Sequence, residues 1–290
     1  NSFWPLPQWA IEKSGTEWTK PENIVTNGPF VLREWKPQEY IFMVKNAKYW
    51  DAKSVKLRGI KILASDNDST NYNMYKDGSV DWMHGIALSK IDEIKLRPDY
   101  QVSAQVGTYY YCFNVTRKPV DNPLVRKALA AAIDKQTLVD QVTKGGQIPT
   151  DAFVPPMEGY TPQKGQGYNV EEAKKLLAEA GYPNGKGFPT LTIVYNTNEG
   201  HKAIAEYIQQ QWKDNLGINV TLKNMEFKTF IDLRSKQHDF TICRHGWVGD
   251  YLDPNTMLDL FVTGGGNNDG LSSHPEYDRL IEAAKTAHGA

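Results

Sequence analysis

The sequence predicts an α/β fold in two lobes, on three observations. Between 190 and 247 apolar strand-like runs alternate with amphipathic helical ones, the order that builds parallel strand pairing. The first third instead holds short runs rich in β-branched and aromatic residues, which read as a sheet of their own. Two extended runs, 100–106 and 108–115, meet at Gly107, and so long an extended passage suits a crossing between lobes.

The elements follow in order. PFVLREWKP (29–37), YIFMVKN (40–46) and KLRGIKILA (56–64) are strands separated by the turn-formers Thr26-Asn27-Gly28 and Asn46-Ala47-Lys48. Asp66-Asn67-Asp68-Ser69 supplies capping side chains for a helix bearing Tyr72, Met74 and Tyr75 and ending at Gly78, and the short run SVDWM (79–83) reads as a strand. Beyond the passage at Gly107, Val125, Ala128, Leu129, Ala132 and Ile133 recur at three and four, the period of a half-buried helix. A further helix ends at Gly145-Gly146, and the Pro- and Gly-rich stretch 147–168 reads as a surface connection. Asn169 with Glu172 three positions on forms a capping box ahead of Ala173, Leu176, Leu177 and Ala180, and Gly181 and Pro183 stop that helix. Then come strand 190–196, helix 202–216, strand 218–225, helix 228–235 and strand 239–247.

Composition narrows the function. The 290 residues are 40% hydrophobic and 23% charged, enough for a sizeable core, and the net charge of −1 provides no field to attract nucleic acid or an anionic membrane. No apolar run approaches the roughly 20 residues of a membrane helix. The start, NSFWPLPQW, lacks the basic head and apolar segment of a signal peptide, and an initial Asn in place of Met reads as a processed or excerpted chain. Aromatics reach 11%, and aromatic-lined clefts bind apolar or flat ligands.

Sequence motifs argue against catalysis. There is no GxSxG, HExxH or GxxxxGK[ST]. TGGGNNDG (263–270) has no following lysine and helix, and reads as a mobile loop. Asp66, Asp68, Thr70 and Asp77 imitate a calcium loop, but Asn71 stands where the turn needs glycine. Cys243 and His245 share a strand face without further ligands, and Cys112 and Cys243 form no CxxC, so no metal site and no cofactor is expected.

The densest stretch is RHGWVGDYLDPNTMLDLF (244–261). It reads as a strand ending in Arg244, a tight Gly246-Trp247-Val248-Gly249 turn, and Asp250 ahead of a helix opened by Pro254. A fixed cation, a fixed anion and an aromatic slab at a strand end suit a zwitterionic ligand, with its carboxylate on Arg244 and its ammonium on Asp250. A buried Arg244–Asp250 pair that only closes the loop is the alternative.

That stretch, with TNGPFVLREWKP (26–37), NAKYWD (46–51), TYYYCFNVTRKPVDNPLVRKALAAAID (108–134) and EEAKKLLAEAGYPNGKGFPTLTIVYNT (171–197), resembles the family 5 extracellular solute-binding proteins. Within them it is most similar to the oligopeptide binders of bacterial ABC importers. The resemblance implies a two-lobe periplasmic-binding-protein-like fold of the type II, large peptide-binding class. Residues 1–106 would be a partial first lobe and 107–290 a second α/β lobe lacking its C-terminal return. It further implies a short peptide as ligand, held by backbone pairing, with transporter permease subunits as partners. The protein would be a monomer in the periplasm or outside the cell, with a lipid anchor to the envelope as one form of attachment.

Residue by residue, the resemblance gives Asp250 to the peptide ammonium and Arg244 and His201 to peptide carboxylates. Trp247 matches a cleft tryptophan and Arg234 a side-chain-pocket arginine. Tyr110, Gly246 and Val248 join the ligand-contacting set, with Tyr109 to Tyr111 as candidate cleft walls. Phe227 stands where peptide binders often carry tryptophan, and Cys112 where some carry a cleft glutamate. In a family that works outside the cytoplasm, Cys112 and Cys243 form either a disulfide or a pair of buried thiols. As a bond closing a loop of about 100 residues or more it would contribute roughly 4 kcal/mol. Two rival functions stand beside peptide capture: a hydrolase using Asp250 and His245, and the same fold binding a nickel-chelate, haem, opine or oligosaccharide.

Overall fold

The computed structural model describes residues 5–287; the first four residues of the NSFWPLPQW start lie outside that range. Contacts divide the chain into two units, Asn1–Asn71 and Tyr72–Ala290. Segment 72–106, which the sequence reading assigns to the first lobe, therefore groups with the second unit.

The first unit holds α1 (Gln8–Ser14) and an antiparallel meander of β1 (Phe30–Lys36), β2 (Tyr40–Lys45) and β3 (Gly59–Leu63). Its register places Trp35 opposite Ile41 and Ile41 opposite Ile62. The predicted turn residue Asn46 is buried because its amide donates to the Gly28 carbonyl (2.8 Å) and its oxygen accepts from the Lys48 N–H (3.0 Å). It thus ties the exit of β2 to the entry of β1.

Helix α2 (Asp68–Lys76) crosses the division between units and ends near Gly78, whose φ is +80°. The strand expected at 79–83 does not form. The N–H groups of Ser79 and Val80 both turn back to the Met74 carbonyl (2.8 and 3.2 Å), so the helix end takes donors that a ladder would need, and Trp82 is left exposed. Short α3 (Ile91–Ile94) buries both of its isoleucines. Segment 100–106 is also not a strand; pairing begins only at Gly107.

The second unit continues with β4 (Gly107–Phe113), α4 (Pro123–Ala131), α5 (Lys135–Thr137), α6 (Val170–Glu179), β5 (Leu191–Asn196) and α7 (Glu199–Leu216). It ends with β6 (Val220–Met225), α8 (Phe227–Ile231), β7 (Ile242–Val248), α9 (Asn255–Leu258) and α10 (Pro275–Ala284). Sheet order is β4-β7-β5-β6; β5 runs parallel to β6 and β7, while β4 pairs antiparallel with β7.

Three asparagines start the main helices. Asn122, Asn169 and Asn198 accept from the N–H groups of Leu124, Glu172 and His201, and each such cap is worth about 1 kcal/mol. The last sets α7 three residues earlier than its apolar period suggests, which brings His201 into the first turn. Val125, Ala128, Leu129, Ala132, Ala173 and Leu177 are buried as their spacing predicts, in one core with Ile193, Ile242 and Trp212. Trp212 Nε1 donates to the Leu129 carbonyl at 2.8 Å, so its indole is buried without an orphaned donor. The other face of the sheet is covered by a cluster of Phe230, Phe240, Val194, Cys112 and Cys243. Coverage on both faces is why Ile193, Val194 and Tyr195 of β5 are buried in succession.

Strand β7 runs through Val248, so the expected Gly246-Trp247-Val248-Gly249 turn is instead ladder: Gly246, Trp247 and Val248 lie opposite Tyr109, Thr108 and Gly107. A glycine pair predicts a turn from local conformation alone, and here the neighbouring strand β4 overrides it.

Candidate functional site

Alternation along β4 and β7 sorts the chemistry onto two faces. Tyr109, Tyr111, Arg244, Gly246 and Val248 share one. Tyr110, Cys112, Cys243, His245 and Trp247 share the other.

On the first face Arg244 lies with its guanidinium carbon 5.1 Å from the Tyr109 ring centroid and donates from Nη1 to Asn196 Oδ1 at 3.4 Å. The Tyr109 hydroxyl is 3.3 Å from His201 Nδ1. Burial, and then the charge of Arg244, lowers the His201 pKa to about 4, so the imidazole is neutral near pH 7. Burial pushes the Tyr111 pKa upward. The cluster therefore carries one cation beside neutral hydrogen-bonding groups. Two of its donors, Arg244 Nε and the Tyr111 hydroxyl, are buried without a partner. A buried unmade hydrogen bond costs about 1–3 kcal/mol, and a carboxylate is the ligand group that would satisfy such donors beside a guanidinium.

The opposite face pairs its charges within the protein, with Asp269 Oδ1 buried and without a hydrogen-bond partner. Asp269 Oδ2 accepts from Arg234 Nε at 2.7 Å and from His245 Nε2 at 2.9 Å. His245 Nδ1 lies 2.8 Å from the Gly246 N–H and 3.2 Å from the Gly246 carbonyl. Tyr110 stacks on that ring with centroids 4.6 Å apart. His245 is 3% exposed and both its nitrogens are engaged, so it does not serve Asp250 as a hydrolytic partner. Arg234, the expected side-chain-pocket arginine, is ion-paired with Asp269 within the protein.

The loop after β7 is anchored by Thr256, which is buried: its hydroxyl accepts from the Asp250 N–H at 2.9 Å and lies 3.5 Å from Trp247 Nε1. Gly249 is required by this closure, since a Cβ there would stand 3.0 Å from Thr256 Cγ2 and 3.3 Å from the Tyr251 carbonyl. Asp250 and Val248 are exposed, as is Phe227 at the start of α8. Arg244 packs on Tyr109 and Asn196, so the alternative of an Arg244 that serves only to close this loop does not describe its surroundings.

Strand pairing also leaves an open edge. The Gly249 N–H donates to the Val106 carbonyl and the Asn114 N–H to the Thr241 carbonyl, which fixes the parity of the ladder. Residues 243, 245 and 247 direct their backbone groups at β4, and 244, 246 and 248 direct theirs to the other side. On that side β5 pairs with β7 only at Ile242 and Cys243. That parallel bridge at Cys243 uses the Arg244 N–H, and beyond it Gly246 and Val248 have no strand partner on that edge among the described residues.

Asp269, Thr256 and Asn196 escaped sequence reading. The glycine-rich loop is pinned, not mobile: Asn268 and Asp269 are buried, and the Asn268 amide donates to the Ser272 carbonyl at 2.7 Å. The Asn-Asp pair inside the glycine run was the available signal, because both side chains fold loops onto themselves.

The family model for bacterial extracellular solute-binding proteins, family 5 Middle, matches residues 3–269. The periplasmic oligopeptide-binding protein OppA of Salmonella typhimurium is 35% identical over 287 residues, 96% of this chain and 52% of the relative. The oligopeptide-binding protein OppA of Bacillus subtilis is 35% identical over 301 residues, 98% of this chain and 55% of the relative. A crystal structure of a periplasmic oligopeptide-binding protein from Borrelia burgdorferi superposes with a TM-score of 0.93 at 41% identity, covering 98% of this chain and 57% of that one. The chain thus spans about half the length of the curated relatives it matches.

Proposed function

Because the chain belongs to the bacterial extracellular solute-binding proteins of family 5, we propose that the whole protein captures short peptides for an ABC importer. The carrying observation is the open β7 edge between Arg244 and Val248, with Arg244 and its orphaned donors at one end and Asp250 just beyond the other. An extended peptide presents the same backbone groups whatever its sequence, so an unpaired edge binds it as an added strand without reading side chains. Gly246 and Val248 then contact backbone, Asp250 holds the ammonium, and Arg244 with His201 receives the carboxylate. The relatives named as oligopeptide-binding and periplasmic support this reading, a location outside the cytoplasm and permease subunits as partners. A first lobe ending near Val106, a monomeric state and a lipid anchor belong to the same proposal.

The test is calorimetry on the full-length protein with tripeptides whose amino end is free or acetylated. Removing a charged hydrogen bond at Asp250 should weaken free-amine peptides by roughly 10- to 100-fold and leave acetylated ones unchanged. If Asp250→Ala keeps the wild-type preference for the free amine, the ammonium role is wrong.

His201 supplies a pH dependence. Its folded pKa of about 4 lies below its ordinary value near 6.5, so the unfolded chain binds more protons between these values. The unliganded protein should therefore lose stability as pH falls from about 6.5 toward 4. A carboxylate beside the ring reverses the local field and raises that pKa, so peptides reaching His201 should bind with proton uptake and tighten from pH 7 to pH 5. Calorimetry in two buffers of different ionisation enthalpy measures the uptake; none at pH 5.5 would place the carboxylate away from His201.

A further inference from the structure

Cys112 and Cys243 are direct cross-strand partners in β4 and β7, both buried and both free thiols. The same ladder parity makes them a hydrogen-bonded pair, where Cα atoms stand about 5.5 Å apart, inside the disulfide Cα range of roughly 4.4–6.8 Å. The Cβ atoms of such a pair stand about 5.5 Å apart, so closing the bond draws the two strands about 1 Å together there. Directly opposed residues point to the same face, so the sulfurs share one site. The two thiols hydrogen-bond each other, and Cys112 Sγ also lies 3.9 Å from the Phe113 carbonyl. Gly270 roofs the pair, since a Cβ at that position would stand 3.0 Å from Cys112 Sγ, and the pinned Asp269 holds that roof in place.

We infer that Cys112 and Cys243 join in a cross-strand disulfide in the mature protein. Two S–H bonds are lost and one S–S bond forms; two electrons and two protons pass to the disulfide of an oxidant, a thiol oxidase or oxidised glutathione, which leaves as two thiols. The inference rests on the location outside the cytoplasm proposed above, where such oxidants act. It removes Cys112 from the set of ligand contacts, because its sulfur is committed to β7. Cys112, the more exposed of the two, is the thiol that attacks the oxidant. The bond ties the strands that present Tyr111 and Arg244 while lying on the face away from them.

The experiment uses full-length protein secreted into an oxidising compartment, unfolded in a thiol-alkylating reagent without reductant and digested. The expected product is a linked pair of peptides containing Cys112 and Cys243, two hydrogens lighter than the separate peptides. Reduction should lower the melting temperature of the wild type and leave a Cys112→Ser/Cys243→Ser variant unchanged. Alkylation of both cysteines in the secreted protein, and again after equilibration with oxidised glutathione, would overturn the inference; so would a bond to a second chain. No peptide enters this test. Peptide binding with both thiols free would defeat the disulfide alone, and a linked pair in a protein that binds no peptide would defeat the proposed function alone.

Discussion

Asp269→Ala should destabilise the full-length protein by about 3–5 kcal/mol, the cost of leaving a buried charge without its partner. Arg234 and Asp269 side chains are 14% and 3% exposed, so water cannot replace the lost carboxylate, and His245 Nε2 loses its acceptor in the same step. Asp269→Asn should cost less, since the amide oxygen still accepts from His245. A double change, Arg234→Met with Asp269→Leu, should recover most of the loss because neither charge is then buried alone. Urea unfolding measures all three, and an Asp269→Ala loss within about 0.5 kcal/mol would mean the pair is solvated. Burial raises the Asp269 pKa, but His245 and Arg234 outweigh it and hold the carboxyl below its ordinary range. Its contribution is therefore present above the unfolded value near 3.9 and lost as pH falls through the lower folded one.

Arg244→Met should weaken peptides with a free carboxylate by about 2–5 kcal/mol, roughly 30- to 5000-fold in Kd, the range for truncating one partner of a desolvated charge pair. Amidated peptides should bind wild type and variant alike. Methionine keeps most of the stem that packs on Tyr109 and removes the guanidinium, so the comparison isolates charge from packing. Arg244→Lys should not restore full affinity, because an ammonium cannot reproduce the forked donors that include the orphaned Nε. Equal losses for free and amidated peptides would show that Arg244 shapes the cleft without receiving the carboxylate.

Residue patterns announced much of this architecture. Asn122 and Asn169 cap helices because a short side-chain oxygen meets an N–H two or three positions on, a relation contained in a few residues. The buried faces of α4 and α6 followed from their period for the same reason. Arg244, Trp247 and Asp250 stood out because charge and aromatic surface concentrate within one short stretch. Two strand expectations failed for different reasons: at 79–83 the helix end claimed the donors, and at 100–106 no ladder was offered. Asp269 could not be read as a partner of Arg234, because the two lie on separate segments that only the folded loop brings together.

The sequence by itself determined most of the helices and strands, where most helices start, and that chemistry gathers around Arg244 to Asp250. Only the tertiary structure decided that β7 lies between β4 and β5, that its edge opens past the Arg244 N–H, and that Arg244 and His245 face opposite ways, one toward Tyr109 and Asn196 and the other toward Asp269. Capping and periodicity act over a few neighbouring residues, whereas strand order and the pairing of buried charges depend on burial shared between distant segments, which no local run of residues encodes.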